Sequence, residues 1–454
     1  MTHSDTVMPA AAATSAVPAI ARLSPRMVRR AIFASVLGSG LEWFDFLIYG
    51  YFAKIIAQVF FPGGDSFISI VLTLATFALG FLVRPLGGIL LGIYADRFGR
   101  QRALALLIMM MAASTLLMGL TPGYARIGIA EPLLVVLARL LQGLSVGGQF
   151  ATASAMLVEY APPGKKMFYG SFNMSSQAFA LLLSSSIGYA LTTRLSHGQL
   201  VAWGWRLPFL LGALAGPLGF YIRHRVAESP EFEQLRDHGH APPRVSIQQF
   251  FRDNSDAAIC AMGVIIVGAA TNYVWHSYLP LYVERQLHLP LASALLGSFV
   301  SGLLNLFLFP LSGKLADRFG PYRLFYPIVI AWILCAYPLF WFVVSAPTVT
   351  HLFIAQMIAT VFLAAMSGPH PGMLATLFPV RSRSTGVALS YNVAVTLFGG
   401  LAPLTITWLT HLTGSSLTPA FYLIFAGLVS LTLVFFTRSG RFPVAANTAL
   451  HPLD

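Results

Sequence analysis

Charge is scarce in this chain. Of its 454 residues only 10% are Asp, Glu, Lys or Arg, while 56% are hydrophobic. That leaves too few ions to coat soluble domains, and apolar runs too long and numerous to be hidden inside them. Cysteine is scarcer still. Cys260 and Cys335 are the only two and fall in different apolar runs, which argues against a structural disulfide and gives a metal site no ligand cluster to build on. No catalytic triad and no nucleotide-binding loop can be read, so an enzyme is not expected, nor a cofactor beyond a proton gradient. Residues 1–25 are rich in Ala, Ser and Thr and lack a separate apolar core, so a cleaved signal peptide is not expected. Residues 438–454 contain Pro443 and Pro452 and no heptad, which removes a coiled-coil partner.

What the chain does have is apolar length. Twelve spans are predicted, at 31–56, 67–93, 103–121, 132–160, 167–194, 203–222, 257–283, 292–313, 324–346, 351–378, 386–411 and 418–437. Several exceed the ~20 residues that a bilayer requires, so tilt or protruding ends are expected. The fold class is an all-α membrane protein. A net charge of +12 could suggest nucleic acid, but the bases follow the spans instead. With the N-terminus inside, twenty-one Lys and Arg fall on inner segments, whereas only Lys54, Arg126, Arg194, Arg206 and Arg285 fall outside. The positive-inside bias therefore predicts both termini in the cytoplasm.

The five residues Ala95-Asp96-Arg97-Phe98-Gly99 recur identically as Ala316-Asp317-Arg318-Phe319-Gly320, each after a long apolar run. Such duplication is the mark of a secondary transporter built from two bundles. The longest polar stretch, 223–256, divides the spans six and six. The expected organisation is an N-terminal segment (1–30), a first six-helix bundle (31–222), a cytoplasmic linker (223–256), a second bundle (257–437) and a cytoplasmic tail (438–454).

Gly92-Ile93-Tyr94-Ala95-Asp96-Arg97-Phe98-Gly99-Arg100 and its echo at Gly313–Gly320 resemble the signature loop of the major facilitator superfamily. Three further stretches narrow the resemblance: Leu41-Glu42-Trp43-Phe44-Asp45-Phe46, Arg84-Pro85-Leu86-Gly87-Gly88, and Arg139-Leu140-Leu141-Gln142-Gly143 running to Gly147-Gly148. With Trp203-Gly204-Trp205-Arg206-Leu207-Pro208-Phe209 they resemble the bacterial metabolite:proton symporters, whose members carry oxoglutarate, citrate, shikimate and osmoprotectants. The resemblance implies two pseudo-symmetric six-helix bundles and places Asp45 opposite Arg139. It also implies inter-bundle charge locks at Asp96, Arg97, Arg100, Glu159, Asp317 and Arg318. One departure stands out: Gln149 replaces the family's usual Glu.

The ionisable residues within spans carry the functional expectation. Counted inward at ~1.5 Å per residue, Glu42 and Asp45 lie about 17–21 Å deep and three residues apart, close to one helical face. A lone carboxylate there costs several kcal/mol, so each must be protonated or paired. Asp45 is the better proton carrier and Glu42 the second candidate. Arg84 and Arg139 can bind a substrate anion bidentately or merely neutralise these acids. Asn272 and His276, four apart on span seven, are expected to share a face, as are Asn173 and Gln177 on span five. The run Ser367-Gly368-Pro369-His370-Pro371-Gly372 in span ten cannot be regular helix, which makes His370 a cavity candidate. The expected function is proton-coupled import of a small organic anion, a di- or tricarboxylate, across a bacterial inner membrane, by a monomer needing no protein partner. A zwitterionic osmoprotectant or shikimate is the alternative substrate, and a non-transporting membrane sensor is the alternative class.

Overall fold

The computed structural model describes residues 39–40, 42–62, 65–98, 100–159, 161–214, 216–217, 247–379 and 383–438. The N-terminal segment, most of the linker and the tail lie outside them, as do the side chains of Asp96, Arg97, Arg100 and Glu159. Among the described residues helices occupy all twelve expected ranges. Eight of these helices are long and apolar enough to cross a membrane. Span five, Lys166–Arg194, is 29 residues long but is diluted by Ser, Asn and Gln, whose hydrogen-bonding groups turn toward protein rather than lipid.

Local chemistry sets the helix ends. Asp65 caps span two by accepting from the Phe67 N–H at 2.7 Å, and Thr348 caps span ten by accepting from the His351 N–H; each satisfies a donor that the first turn leaves open. Gly320, at φ +89°, ends span eight (Leu291–Phe319), and Pro321 opens span nine (Pro321–Ser345). A side chain at that φ would be strained, so the second signature motif needs its glycine. Span eight runs six residues beyond its expected end, so Asp317 and Arg318 belong to its last helical turn.

Several spans are interrupted, and the interruptions lie near the centre. Span two breaks at Val83, between Ser66–Leu82 and Arg84–Phe98, where Pro85 has no N–H to return to the Phe81 carbonyl. Span ten breaks at Gly368-Pro369, between Val349–Ser367 and His370–Leu377, but His370, Pro371 and Gly372, expected to be irregular, are regular helix, because Pro371 falls in the first turn, where no intrahelical N–H is needed. Spans seven and eleven each contain a π-helical turn, Tyr273–Tyr278 and Thr396–Gly400. Such turns insert an extra residue into the helix and shift the register of everything beyond it.

Spans two and four pack closely enough that side chains would collide with backbone: a Cβ on Gly87, Gly143 or Gly147 would meet the carbonyls of Leu144, Gly80 or Arg84. Small residues at such crossings permit this approach in a membrane. Between the halves, span five lies against span eight and span two against span eleven.

Candidate functional site

Span one supplies two acids to two arginines. Arg139 donates from Nη1 to Asp45 Oδ2 at 3.1 Å, and Arg84 Nη2 lies 3.6 Å from Glu42 Oε1. All four side chains are buried, at 0–2% exposure. At this burial an unpaired ion would be too costly to keep, so each acid faces an arginine. The pairs differ in quality. Asp45 is hydrogen-bonded, and Thr115 and Gln142 stand beside it, although its Oδ1 lacks a hydrogen-bond partner. The Glu42 contact exceeds hydrogen-bond length, and the Nε, Nη1 and Nη2 of Arg84 all lack hydrogen-bond partners.

Aromatic rings hold the guanidinium groups in place. Arg84 Cζ lies 4.4 Å from the Phe46 ring centroid and 4.0 Å from that of Phe81. Arg139 lies 3.9 Å from the Tyr49 ring centroid, and Tyr49 donates its hydroxyl to the Thr73 carbonyl at 3.0 Å. Stacking on a ring face suits a flat guanidinium and compensates part of its lost hydration. Phe46 and Tyr49, three apart on span one, thus seat the two arginines about one helical turn from each other.

Beside these pairs lies a cavity of about 20 Å³, room for roughly one water molecule. Trp43, Gln177, Asn272 and Asn305 contribute its polar lining, and Leu181 and Phe309 its apolar walls. Gln177 Nε2 and Asn305 Oδ1 have no hydrogen-bond partner.

The candidates therefore separate. Gln177 and Asn272 reach the cavity, whereas Asn173 donates to Ser154 Oγ at 2.9 Å and ties span five to span four. His276 is buried but does not line the cavity with Asn272. His370 packs against Gly268 of span seven, with Nε2 unpartnered. Asn305 was legible only as a polar residue in an apolar run. Tyr391 of span eleven, which stands near Gln177, Glu42 and Arg84, gave no sequence signal.

The cavity is closed at both ends. At the end away from the signature loops, Lys54 of span one meets Glu284 of span seven at 3.4 Å, and Phe67 stacks on His411 at 3.8 Å. Gly50 lies against Ser277, where a Cβ would come within 2.6 Å of the Ser277 hydroxyl. Toward the loop end, Phe150 stacks on Tyr391 at 3.7 Å and Asn392 donates to the Gly147 carbonyl at 2.5 Å. Asp317 accepts from the N–H groups of both Met167 and Phe168 at 2.9 Å. Its carboxylate therefore caps span five from the opposite bundle and is favoured there by the helix dipole.

Asp317→Asn keeps only one acceptor oxygen and no charge, so it is expected to weaken closure by about 1–2 kcal/mol, a shift of roughly 5- to 30-fold. Ser171→Cys, buried beside Gly313, should then be labelled faster by a thiol reagent from the loop end. An unchanged labelling rate would remove Asp317 from the lock.

Comparison with known proteins agrees with this geometry. Residues 36–351 match the family model described as Major Facilitator Superfamily. The chain is 35% identical to the citrate-proton symporter of Salmonella typhi, covering 94% of this chain and 99% of that protein. It is 34% identical to the glycine betaine/proline/ectoine/pipecolic acid transporter OusA of Dickeya dadantii, covering 93% and 85% respectively. Among solved structures it resembles the proton:xylose symporter XylE bound to 6-bromo-6-deoxy-D-glucose, with a TM-score of 0.74 at 18% identity, covering 92% and 96%. That likeness concerns the fold. The chain belongs to the major facilitator superfamily, as a multi-pass membrane transporter of two six-helix bundles and not an enzyme.

Proposed function

We propose that this transporter is a proton-coupled symporter that imports a small carboxylate-bearing solute across a bacterial inner membrane, with both termini cytoplasmic and the signature loops facing inward. The observation that carries this reading is the placement of two buried arginines about one turn apart, each neutralised by an acid able to take up a proton. Protonation of Asp45 weakens its hold on Arg139, and protonation of Glu42 does the same for Arg84. The freed guanidinium groups then accept the carboxylates of the solute, so the loaded centre stays close to neutral while the bundles reorient. Two such arginines suit a di- or tricarboxylate, and the citrate-proton symporter of Salmonella typhi is a relative.

A second reading is favoured by a different observation. Trp43, Phe81 and Tyr273 form a ring cluster in which Tyr273 lies 5.4 Å from each of the other two, beside the single guanidinium of Arg84. Such rings suit an alkylated cation, and OusA is named for betaine and proline among its substrates. A zwitterion would place its carboxylate on Arg84 and its cation on the rings.

Thermal unfolding of the purified protein with citrate, oxoglutarate, shikimate, glycine betaine and proline separates these readings. A ligand at a hundred times its dissociation constant stabilises the folded state by about 2.7 kcal/mol. Stabilisation by citrate or oxoglutarate, greater at acidic pH, supports the anion reading. Stabilisation by betaine or proline alone would replace it with the zwitterion, and stabilisation by none together with no flux would leave a sensor.

A further inference from the structure

Phe81 joins the arginine centre to the opposite bundle. Its ring faces the Arg84 guanidinium at 4.0 Å and meets Tyr273 of span seven edge-on at 5.4 Å. It also fills the notch at Gly400, where any Cβ would overlap the ring. The neighbouring Gly399 admits the Tyr273 ring in the same way, at 2.6 Å from a hypothetical Cβ. Both glycines belong to the π-helical turn Thr396–Gly400 of span eleven. Thr396, at the start of that turn, donates its hydroxyl to the Phe81 carbonyl at 2.9 Å. This acceptor is available because Pro85, four residues on, cannot donate to it within the helix.

We propose that Phe81, docked into the Thr396–Gly400 turn beside Arg84, is a latch that holds the two bundles closed. With the turn seated, Arg84 rests against the adjoining rings of Phe46 and Phe81 and is kept at 3.6 Å from Glu42. When the bundles part, Phe81 loses the Thr396 hydroxyl, the glycine notch and the Tyr273 edge together, and Arg84 loses one of the two rings that pack against it. The guanidinium is then free to turn toward a solute in an open cavity. The assignment builds on the alternating-access reading but does not depend on which solute is carried, because its test needs none.

The test uses the full-length protein with Cys260→Ala and Cys335→Ala, and Ser277→Cys as the reporter. Ser277 is buried at the closed end, against Gly50. Labelling by a thiol reagent, without solute, reads how often that end opens. Gly400→Ala is expected to raise the labelling rate about tenfold or more by denying Phe81 its notch, a population shift that a single clash can produce. Phe81→Ala, which empties the notch, is expected to raise the rate likewise, and the two substitutions together to raise it no more than about twofold beyond either alone, because both break one contact. A parental rate in Gly400→Ala or Phe81→Ala, or fully multiplied effects in the double variant, overturns the proposal. Should Gly400→Ala fail to fold, Thr396→Val and Thr396→Ser make the same test. The valine must raise labelling and the serine, which keeps the hydroxyl, must not; equal rates overturn it. Failure of any solute to bind would leave these outcomes unchanged, so this proposal and the symport reading fail separately.

Discussion

Asp45→Asn is expected to abolish uphill accumulation of the solute while leaving counterflow exchange measurable. Asp45 is the acid hydrogen-bonded to Arg139 at 3.1 Å, and the position at which the resembled family usually carries a further Glu holds Gln149, which cannot titrate. In the proposed mechanism the coupling proton is therefore carried mainly on span one. Asn imitates the protonated acid permanently, so the carrier can bind and exchange solute but cannot exploit a pH gradient. The substitution also leaves a buried Arg139 without its counter-charge, for which a loss of about 3–5 kcal/mol in stability is the usual scale. Folded yield must accordingly be measured alongside transport. Glu42→Gln should be milder, because the Glu42 pair, at 3.6 Å, has no hydrogen bond to lose. Proteoliposomes of Asp45→Asn that still accumulate solute under an imposed pH gradient would shift the coupling role to Glu42 or to a histidine.

Arg84→Lys is expected to raise the apparent dissociation constant of the solute tenfold or more, at least about 1.4 kcal/mol. The charge is preserved, but the flat fork that packs against Phe46 and Phe81 is not. An ammonium group can neither stack on both rings in the same way nor bind a carboxylate through two parallel N–H groups. Isothermal titration at matched pH measures the effect, and wild-type affinity in folded Arg84→Lys would place solute recognition elsewhere. The Asp45 and Arg84 effects should also differ in kind, one on coupling and the other on affinity.

The repeat of Ala-Asp-Arg-Phe-Gly and the apolar runs made the two-bundle fold legible in the sequence, because hydrocarbon thickness and the cost of buried charge leave few alternatives. The same cost singled out Glu42, Asp45, Arg84 and Arg139 as residues needing partners. Partner geometry was not legible. Nothing in the local pattern indicates that Arg84 packs against both Phe81, three residues before it, and Phe46 on span one. Asn173 and Gln177 look alike at four-residue spacing, yet only tertiary packing decides that Asn173 is taken by Ser154. His276 is buried outside the cavity that Asn272 lines, a difference that their four-residue spacing does not reveal. Tyr391 and Asn305 sit in runs whose aromatic and carboxamide residues most often serve helix packing.

The small volume of the central cavity bears on the energy stored across the membrane. With about 20 Å³ available, the closed centre has room for roughly one water. A single water between two sealed ends cannot form a continuous chain along which protons hop. The closed carrier thus behaves as an insulator: neither acid exchanges its proton with either side until one end opens, and current flows only when the whole protein turns over.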